Sequence, residues 1–420
     1  MRRLALITLS IPLILVARHD FAAAQPKPSP LLEYDYNGYG KPGASGREFT
    51  QTMAHPEVQR LLLDIAAEPR ELAWVAEALK GTDVQPELLR DLTLIQIQGD
   101  KCNLSFPLLT RSDFDKIRTV GETEGAAIAA QVLARRAEIA QILKARPQPG
   151  LDWKEVAFFV VGCVSLDWDG LNLLKKKGYL ASPAKAELAP EAYEVGGRGS
   201  VHALYWGSHN MHDSMAFTSF GDHDALPRHT LPDLIWNLRR SLSEMDAPSP
   251  LKKVMVNAAD ELIRWRAGTM MLALRDGDKD LKQLAAAASI TETEAKALLN
   301  LLTALHFVSV SADRYKATVP VLTDSDRAAV KEVRQLGRAI MTKWLEERYP
   351  EVSRRLAAIS PVRNGVPLPR AFYWVWHYIF GTANRELVAA GLFADPYDPA
   401  RTFKGFIPAV YPLRVVQGDF

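Results

Sequence analysis

The chain has 420 residues, 48% of them hydrophobic and 24% charged, which is enough apolar material for two or three cores. Its 51 Lys and Arg stand against 49 Asp and Glu, and a formal charge of +2 excludes the basic excess of a nucleic-acid surface. Two cysteines, Cys102 and Cys163, are too few for a disulfide framework.

The first residues read as a targeting segment. Arg2-Arg3 precedes the uncharged stretch Leu4 to Val16, and Ala22-Ala23-Ala24 supplies the small residues of a cleavage site before Gln25. Residues 1–24 are therefore expected to be a signal peptide, and the rest to lie outside the cytoplasm, periplasmic or secreted. A retained segment would anchor the chain, which is the one route to a membrane partner. Residues 25–48 are rich in Pro, Gly and Tyr and read as an extended, mobile leader. The most apolar later run, Ala371 to Phe380, is too short to span a bilayer and reads as a buried helix.

Helical periodicity begins near His55 and covers HPEVQRLLLDIA and ELAWVAEALK. Ile95 to Ile97 and Asn103 to Phe106 then predict a hairpin, and Thr110-x-x-Asp113 caps a long helix. An apolar helix over Trp153 to Val164 follows, and a short amphipathic helix stops at Gly178. Further on, Leu251 to Arg275 and Asp280 to Ala288 predict helices, and Ser289-Ile290 a tight turn. Thr291-x-x-Glu294 opens a helix to about His306. Phe307 to Ser311 and Tyr315 to Val319 alternate as two strands. Thr323-x-x-Asp326 caps a second long helix, and another apolar helix, Phe372 to Phe380, precedes Gly391.

The two series share one spacing. FPLLTRSD at Phe106 to Asp113 matches VPVLTDSD at Val319 to Asp326, a separation of 213 residues. The same separation matches Leu88-Leu89 with Leu301-Leu302, Phe159 with Phe372, Gly178 with Gly391 and Pro183 with Pro396. This predicts a duplication, with repeat 1 over 49–190, repeat 2 over 250–400, a connector over 191–249 and a tail over 401–420. Cys102 and Cys163 then match Tyr315 and Trp376, which marks them as interior packing positions and predicts two buried thiols.

Helix, helix, turn, helix and two-stranded hairpin is the element order of a winged helix-turn-helix. On these residues the chain resembles bacterial winged-helix proteins of the broad transcription-regulator type, over about 55 residues per copy. The resemblance implies a mainly α fold with small β-hairpin wings (α+β), made of internally duplicated winged-helix-like units with extra helices. It also implies a third helix that enters the major groove of DNA. The start of that helix carries Glu292, Glu294 and Lys296 in one copy and Asp83 and Glu87 in the other. Carboxylates there repel phosphates, so nucleic acid is not the expected partner. The partner is expected to be a protein or a small-molecule ligand.

The connector differs in character. Tyr193 to Leu231 lacks a helical period and holds five of the nine histidines. It reads as a structured, functional loop. His209-x-x-His212-Asp213 and Asp222-His223-Asp224 bring imidazoles and carboxylates close in sequence, the donor set of a divalent metal such as zinc. His209 and His212 share a face only on a helical turn. The competing reading is that these histidines bond backbone groups. His377, within the aromatic run, reads as a core histidine. No catalytic residue is assigned, since Ser165, Ser208 and Ser214 lack a nucleophile-elbow context. Two functions remain: a non-enzymatic extracytoplasmic binding or protein-interaction protein on a duplicated winged-helix scaffold, and, as the alternative, a metal-dependent hydrolase using the connector.

Overall fold

Four capping boxes fix where helices begin. Thr110 with Asp113, Asp280 with Gln283, Thr291 with Glu294, and Thr323 with Asp326 each join an N-cap side chain to the N3 amide and return the N3 side chain to the N-cap amide. Each box satisfies two amides that a helix start leaves unpaired. A computed structural model describes residues 30–38, 46–181, 188–197, 205–212, 215–222, 234, 237–238, 241–242 and 245–417. The expected signal peptide lies outside them. The described chain is helix-rich with small sheets.

The expected mobile leader contains a paired strand, β1 (Leu32–Gly38), and most of a helix start, α1 (Gly46–Met53). The strand forms because Leu32 is buried, Tyr34 meets Phe49 edge-on at 5.7 Å, and Gln59 Oε1 accepts the amides of Leu31 and Leu32. Next come α2 (Pro56–Ala67), β2 (Arg70–Glu71), α3 (Leu72–Ala78), α4 (Pro86–Asp91), β3 (Ile95–Gln98) and β4 (Lys101–Leu104). The three strands make a sheet in the order β2-β4-β3. After β5 (Leu108–Leu109) follow α5 (Arg111–Leu133), α6 (Arg136–Lys144) and α7 (Trp153–Lys176).

Helix α7 runs well past the expected end at Val164, and Phe158–Asp169 within it is a π-helix. Among the described residues it is the one helix long and apolar enough to cross a membrane, not the Ala371 to Phe380 run, but most of its apolar stretch is buried as core. The strand β6 (Leu188–Glu194) then lies antiparallel to β1 and parallel to β5.

The C-terminal half follows the connector. Helix α8 starts as Ser249–Ala259, continues as a π-helix over Asp260–Arg266 and ends as Ala267–Ala273. Then come α9 (Leu281–Ala288), α10 (Glu292–Ala304) and the hairpin of β9 (Val308–Ser311) and β10 (Arg314–Ala317). A single 3-10 turn leads into α11 (Arg327–Leu356), and α12 (Ser360–Arg363) and α13 (Leu368–Ala389) complete the helical part.

The spacing of 213 residues recurs in the backbone. The strand pairs begin at Ile95 and Val308, and at Lys101 and Arg314. Thr93 and His306 both have φ of 59°, and Gly178 and Gly391 have φ of 74° and 68°. The hydroxyls of Ser105 and Thr318 donate to the carbonyls of Thr93 and His306 at 2.5 Å. The carbonyls of Pro107 and Pro320 accept from Ala192 and Val410 at 3.0 and 2.9 Å. One difference is length: α4 has 6 residues where α10 has 13.

The halves interlock. Helix α5 packs along α13, and α11 along α7. The fits leave no room for a β-carbon: one on Gly125 would lie 2.6 Å from Ile379 O, and one on Gly337 would lie 2.7 Å from Ser165 Cβ. After α6, Gln148 donates to Val319 O and accepts from Val321 N, both at 2.9 Å. In the other direction, Asp113 accepts from Ser360 N at 2.8 Å and Asn364 donates to Ala66 O at 2.9 Å. Both cysteines are free and buried in separate cores, and burial pushes both thiols above their ordinary range. Tyr315 and Trp376 are buried at the matching positions.

Each wing turns through two residues, Gly99-Asp100 in one and Ala312-Asp313 in the other. Ala312 has φ of 48° where its counterpart Gly99 has 65°. A β-carbon in that region costs about 1–2 kcal/mol, and one added at Gly99 meets no atom within 4 Å. Ala312→Gly is expected to stabilise the protein by roughly 1 kcal/mol and Gly99→Ala to destabilise it by a similar amount. Equilibrium urea unfolding of both variants checks this, and equal midpoints for Ala312→Gly and the parent would contradict it.

Candidate functional site

The connector contains a hairpin rather than an irregular loop. Strand β7 (Tyr205–His212) pairs antiparallel with β8 (Met215–Asp222), which pairs on its other side with β11 (Phe406–Pro412). The physical reason lies in β8, MAFTSFGD, where every residue is buried. Met215 and Phe217 enter the core of the C-terminal wing unit, while Ala216 and Phe220 enter the central helical core. A strand buried on both faces has no polar alternation to betray it.

This changes the geometry expected for the metal ligands. His209 and His212 stand on β7, opposite Thr218 and Met215, and the helical turn expected for them is a strand. Three residues along a strand is an odd step, which places the two positions on opposite faces of the sheet. Asp222 ends β8, and its buried carboxylate accepts a hydrogen bond from Tyr397. Asp213, His223 and Asp224 lie outside the described residues. Among the described residues no three His, Cys, Asp or Glu side chains converge as a metal shell. His377 is buried in α13, with Nδ1 2.7 Å from Tyr373 O, in keeping with a core histidine.

The hairpin is held between the two π-helical segments. The π segment of α8 packs on β7 and β8 from one side. That segment carries a buried ion pair, Asp260 with Arg264 one turn on. On the other side, Phe158 meets Phe220 at 5.3 Å, and a β-carbon on Gly162 would lie 3.1 Å from the Phe220 ring. π-Helical turns are uncommon and recur at functional sites.

The π segment of α7 also holds a polar cluster that sequence reasoning missed. Burial pushes the carboxyl of Asp167 up to about 8, and its Oδ1 has no hydrogen-bond partner among the described residues. Asp167 lies beside Cys163, whose thiol it raises further. Cys163 in turn neighbours Tyr411, whose hydroxyl is 2.6 Å from Thr218 Oγ1. Two aspartates two residues apart on the same helix differ in how their charge is met. Asp169 receives Arg334 through two bonds of 2.7 and 2.8 Å, and burial still raises its carboxyl against that pull. The one available signal was the pair of aspartates in VSLDWDG, set inside an apolar run. The polar groups described here are held in pairs or singly inside packed elements.

Asp167 makes stability depend on pH with a definite sign. The unfolded chain releases this proton near 3.8 and the folded chain near 8, so the folded state holds more protons in between. Its contribution therefore falls as pH rises through that window. Asp167→Asn removes the dependence. The difference in unfolding free energy should move in the variant's favour by up to roughly 1.4 kcal/mol per pH unit between about pH 5 and 8. Urea unfolding at four pH values measures it, and parallel profiles would contradict the assignment.

Comparison of the chain with protein-family models finds no match, and comparisons with curated proteins and with solved structures find none.

Proposed function

We propose that the chain is a non-enzymatic extracytoplasmic binding or protein-interaction protein, built on two winged-helix-like units of common origin. The order helix, strand, helix, helix, hairpin supports the winged-helix reading, together with a sheet in which β2 pairs with the far strand of the wing. In the C-terminal unit the Lys279–Tyr315 bridge takes the place of β2–β4, where Arg70 faces Cys102. Common origin is supported by the recurrence of turns, caps and side-chain bonds at one spacing.

The observation that carries the functional reading is the surface of α10. Its exposed start presents Glu292 and Glu294, and Glu294 is committed to the capping box through Thr291 N at 2.9 Å. The neighbouring cation, Lys296, donates to Tyr315 Oη at 2.9 Å and so lies against the wing. A helix used in this way offers phosphates repulsion, and the scaffold serves protein or small-molecule contact instead. Arg2-Arg3, the apolar run and the alanines before Gln25 support the extracytoplasmic location.

Three measurements on material from cell fractions test this. N-terminal sequencing is expected to return Gln25. The dialysed protein is expected to hold far less than one metal ion per chain and to leave duplex DNA unretarded at physiological salt. Stoichiometric zinc that disappears in His212→Ala would instead support the hydrolase reading, and Met1 in cytoplasmic material would overturn the location.

A further inference from the structure

We infer that the proton carried by Asp167 latches α7 to the sheet of β7, β8 and β11, and that its loss as pH rises opens that seam while the rest of the molecule stays folded. This goes beyond the reading above and concerns how the connector hairpin is held.

Phe159, Cys163 and Asp167 stand at steps of four along α7, about one turn apart, which puts them on one face. The ring centre of Phe159 lies 5.0 Å from that of Tyr411 on β11, and Cys163 also neighbours Tyr411. Asp167 therefore sits on the face that meets the sheet. It is 3% exposed, and its Oδ1 has no hydrogen-bond partner among the described residues. A lone carboxylate is strongly disfavoured in such a place, so a closed seam favours the protonated acid. Opening the seam brings water to the group, and there it ionises as an ordinary aspartate.

The charged and titratable groups of each packed element are otherwise engaged. On α7, Asp169 is met by Arg334 of α11, and Arg338 of α11 also acts on Asp169. Burial pushes Cys163 on α7 and Tyr411 on β11 upward, so both stay neutral. On α13, His377 Nδ1 lies 2.7 Å from Tyr373 O, and Tyr378 packs on Gly121 of α5. The rise of the Asp167 carboxyl from 3.8 to about 8 has burial as its cause.

The packing selects the sheet as the part that moves. Helix α11 is fixed to α7 by the two bonds between Arg334 and Asp169, and by Gly337, which packs on Ser165. Across the sheet seam, ring meets ring: Phe158 and Phe220 at 5.3 Å, Phe159 and Tyr411 at 5.0 Å, Trp168 and Tyr411 at 6.4 Å. The Tyr411 hydroxyl is bonded inside the sheet, 2.6 Å from Thr218 Oγ1. On its other side the sheet is anchored by Met215, Phe217 and Val410 in the core of the C-terminal wing unit. The sheet therefore parts from α7 with its ladders intact and carries the β7–β8 hairpin with it. Each opening releases one proton between about pH 4 and 8, so each pH unit in that range favours the open form about tenfold.

The two native cysteines report the opening in the full chain. Cys163 lies on the seam face, and Cys102 lies in the core of the first wing unit. The protein is treated with iodoacetamide at several values between about pH 5.5 and 7.5, and modification of each cysteine is followed by mass spectrometry. Each rate is divided by that of the same thiol in the urea-unfolded chain, which cancels the ordinary rise of thiol reactivity with pH. The corrected rate at Cys163 is expected to rise about tenfold per pH unit, and to stay level in Asp167→Asn. It is also expected to exceed the corrected rate at Cys102 by about tenfold or more, because the seam opens without global unfolding. Equal corrected rates at the two cysteines would mean that whole-molecule unfolding alone exposes the seam. A level rate at Cys163 in the parent would mean that opening releases no proton. Both of these are read on the unaltered chain. An equal rise in Asp167→Asn would assign the effect to another group. Each of these three results overturns the proposal.

Discussion

Asp326 holds three parts of the molecule at once. It accepts the amide of Thr323 at 2.8 Å and so starts α11. It takes the guanidinium of Arg275 through bonds of 2.8 and 3.3 Å, both groups being buried. Arg275 then donates to the carbonyls of Arg146 and Pro147, which belong to the other half of the chain. Asp113 does related work at the matching position, capping α5 and accepting Ser360 N from across the molecule. The carboxylates that begin the long helices are thus the ones that tie the halves together. A buried pair of this kind adds little net stability when intact, yet losing one partner leaves an uncompensated charge and costs about 3–5 kcal/mol.

The central core follows from that tie. With both loops held, α5 lies against α13 and α11 against α7, and two further buried carboxylates find partners across the same seam. Glu124 on α5 accepts Trp344 Nε1 at 3.1 Å and Arg348 at 2.9 and 3.0 Å, both from α11. Asp169 on α7 receives Arg334, also from α11. Asp167, two residues earlier on α7, is buried with no ion pair among the described residues, and burial keeps its carboxyl protonated near neutrality.

What could be read in advance was local. Thr110, Thr291 and Thr323 announce helix starts because the partner lies three residues away, and the wings show in the alternation of FVSVS. What escaped was set by distant partners. LEYDYNG looked like part of a leader because the strand that pairs with it begins at Leu188. Within the connector, Met215 to Phe220 reads as a strand-like run and is β8, but its pairing with β7 and β11 was not legible, because MAFTSFGD is buried on both faces and shows no period. The apolar helix to Val164 and the short amphipathic helix that follows are one helix, α7, and Asp167 and Asp169 between them are interior. Of the six residues expected to bind a metal, Asp222 is the one whose side chain is placed, and it serves Tyr397.

The exchange of contacts between the halves bears on how the chain reaches its final state. Tyr193 meets Glu33 across 160 residues of sequence, and Ser360 meets Asp113 across 247. Neither the first sheet nor the first long helix has its partners until much later residues exist. A chain delivered from its N-terminus onward must keep α5 and its apolar face waiting for α13, and closing such long loops is slow. The waiting surface is a natural substrate for chaperones. Once closed, the same topology makes the two halves a single cooperative unit, in which a break in the backbone between them would separate the sequence without separating the structure.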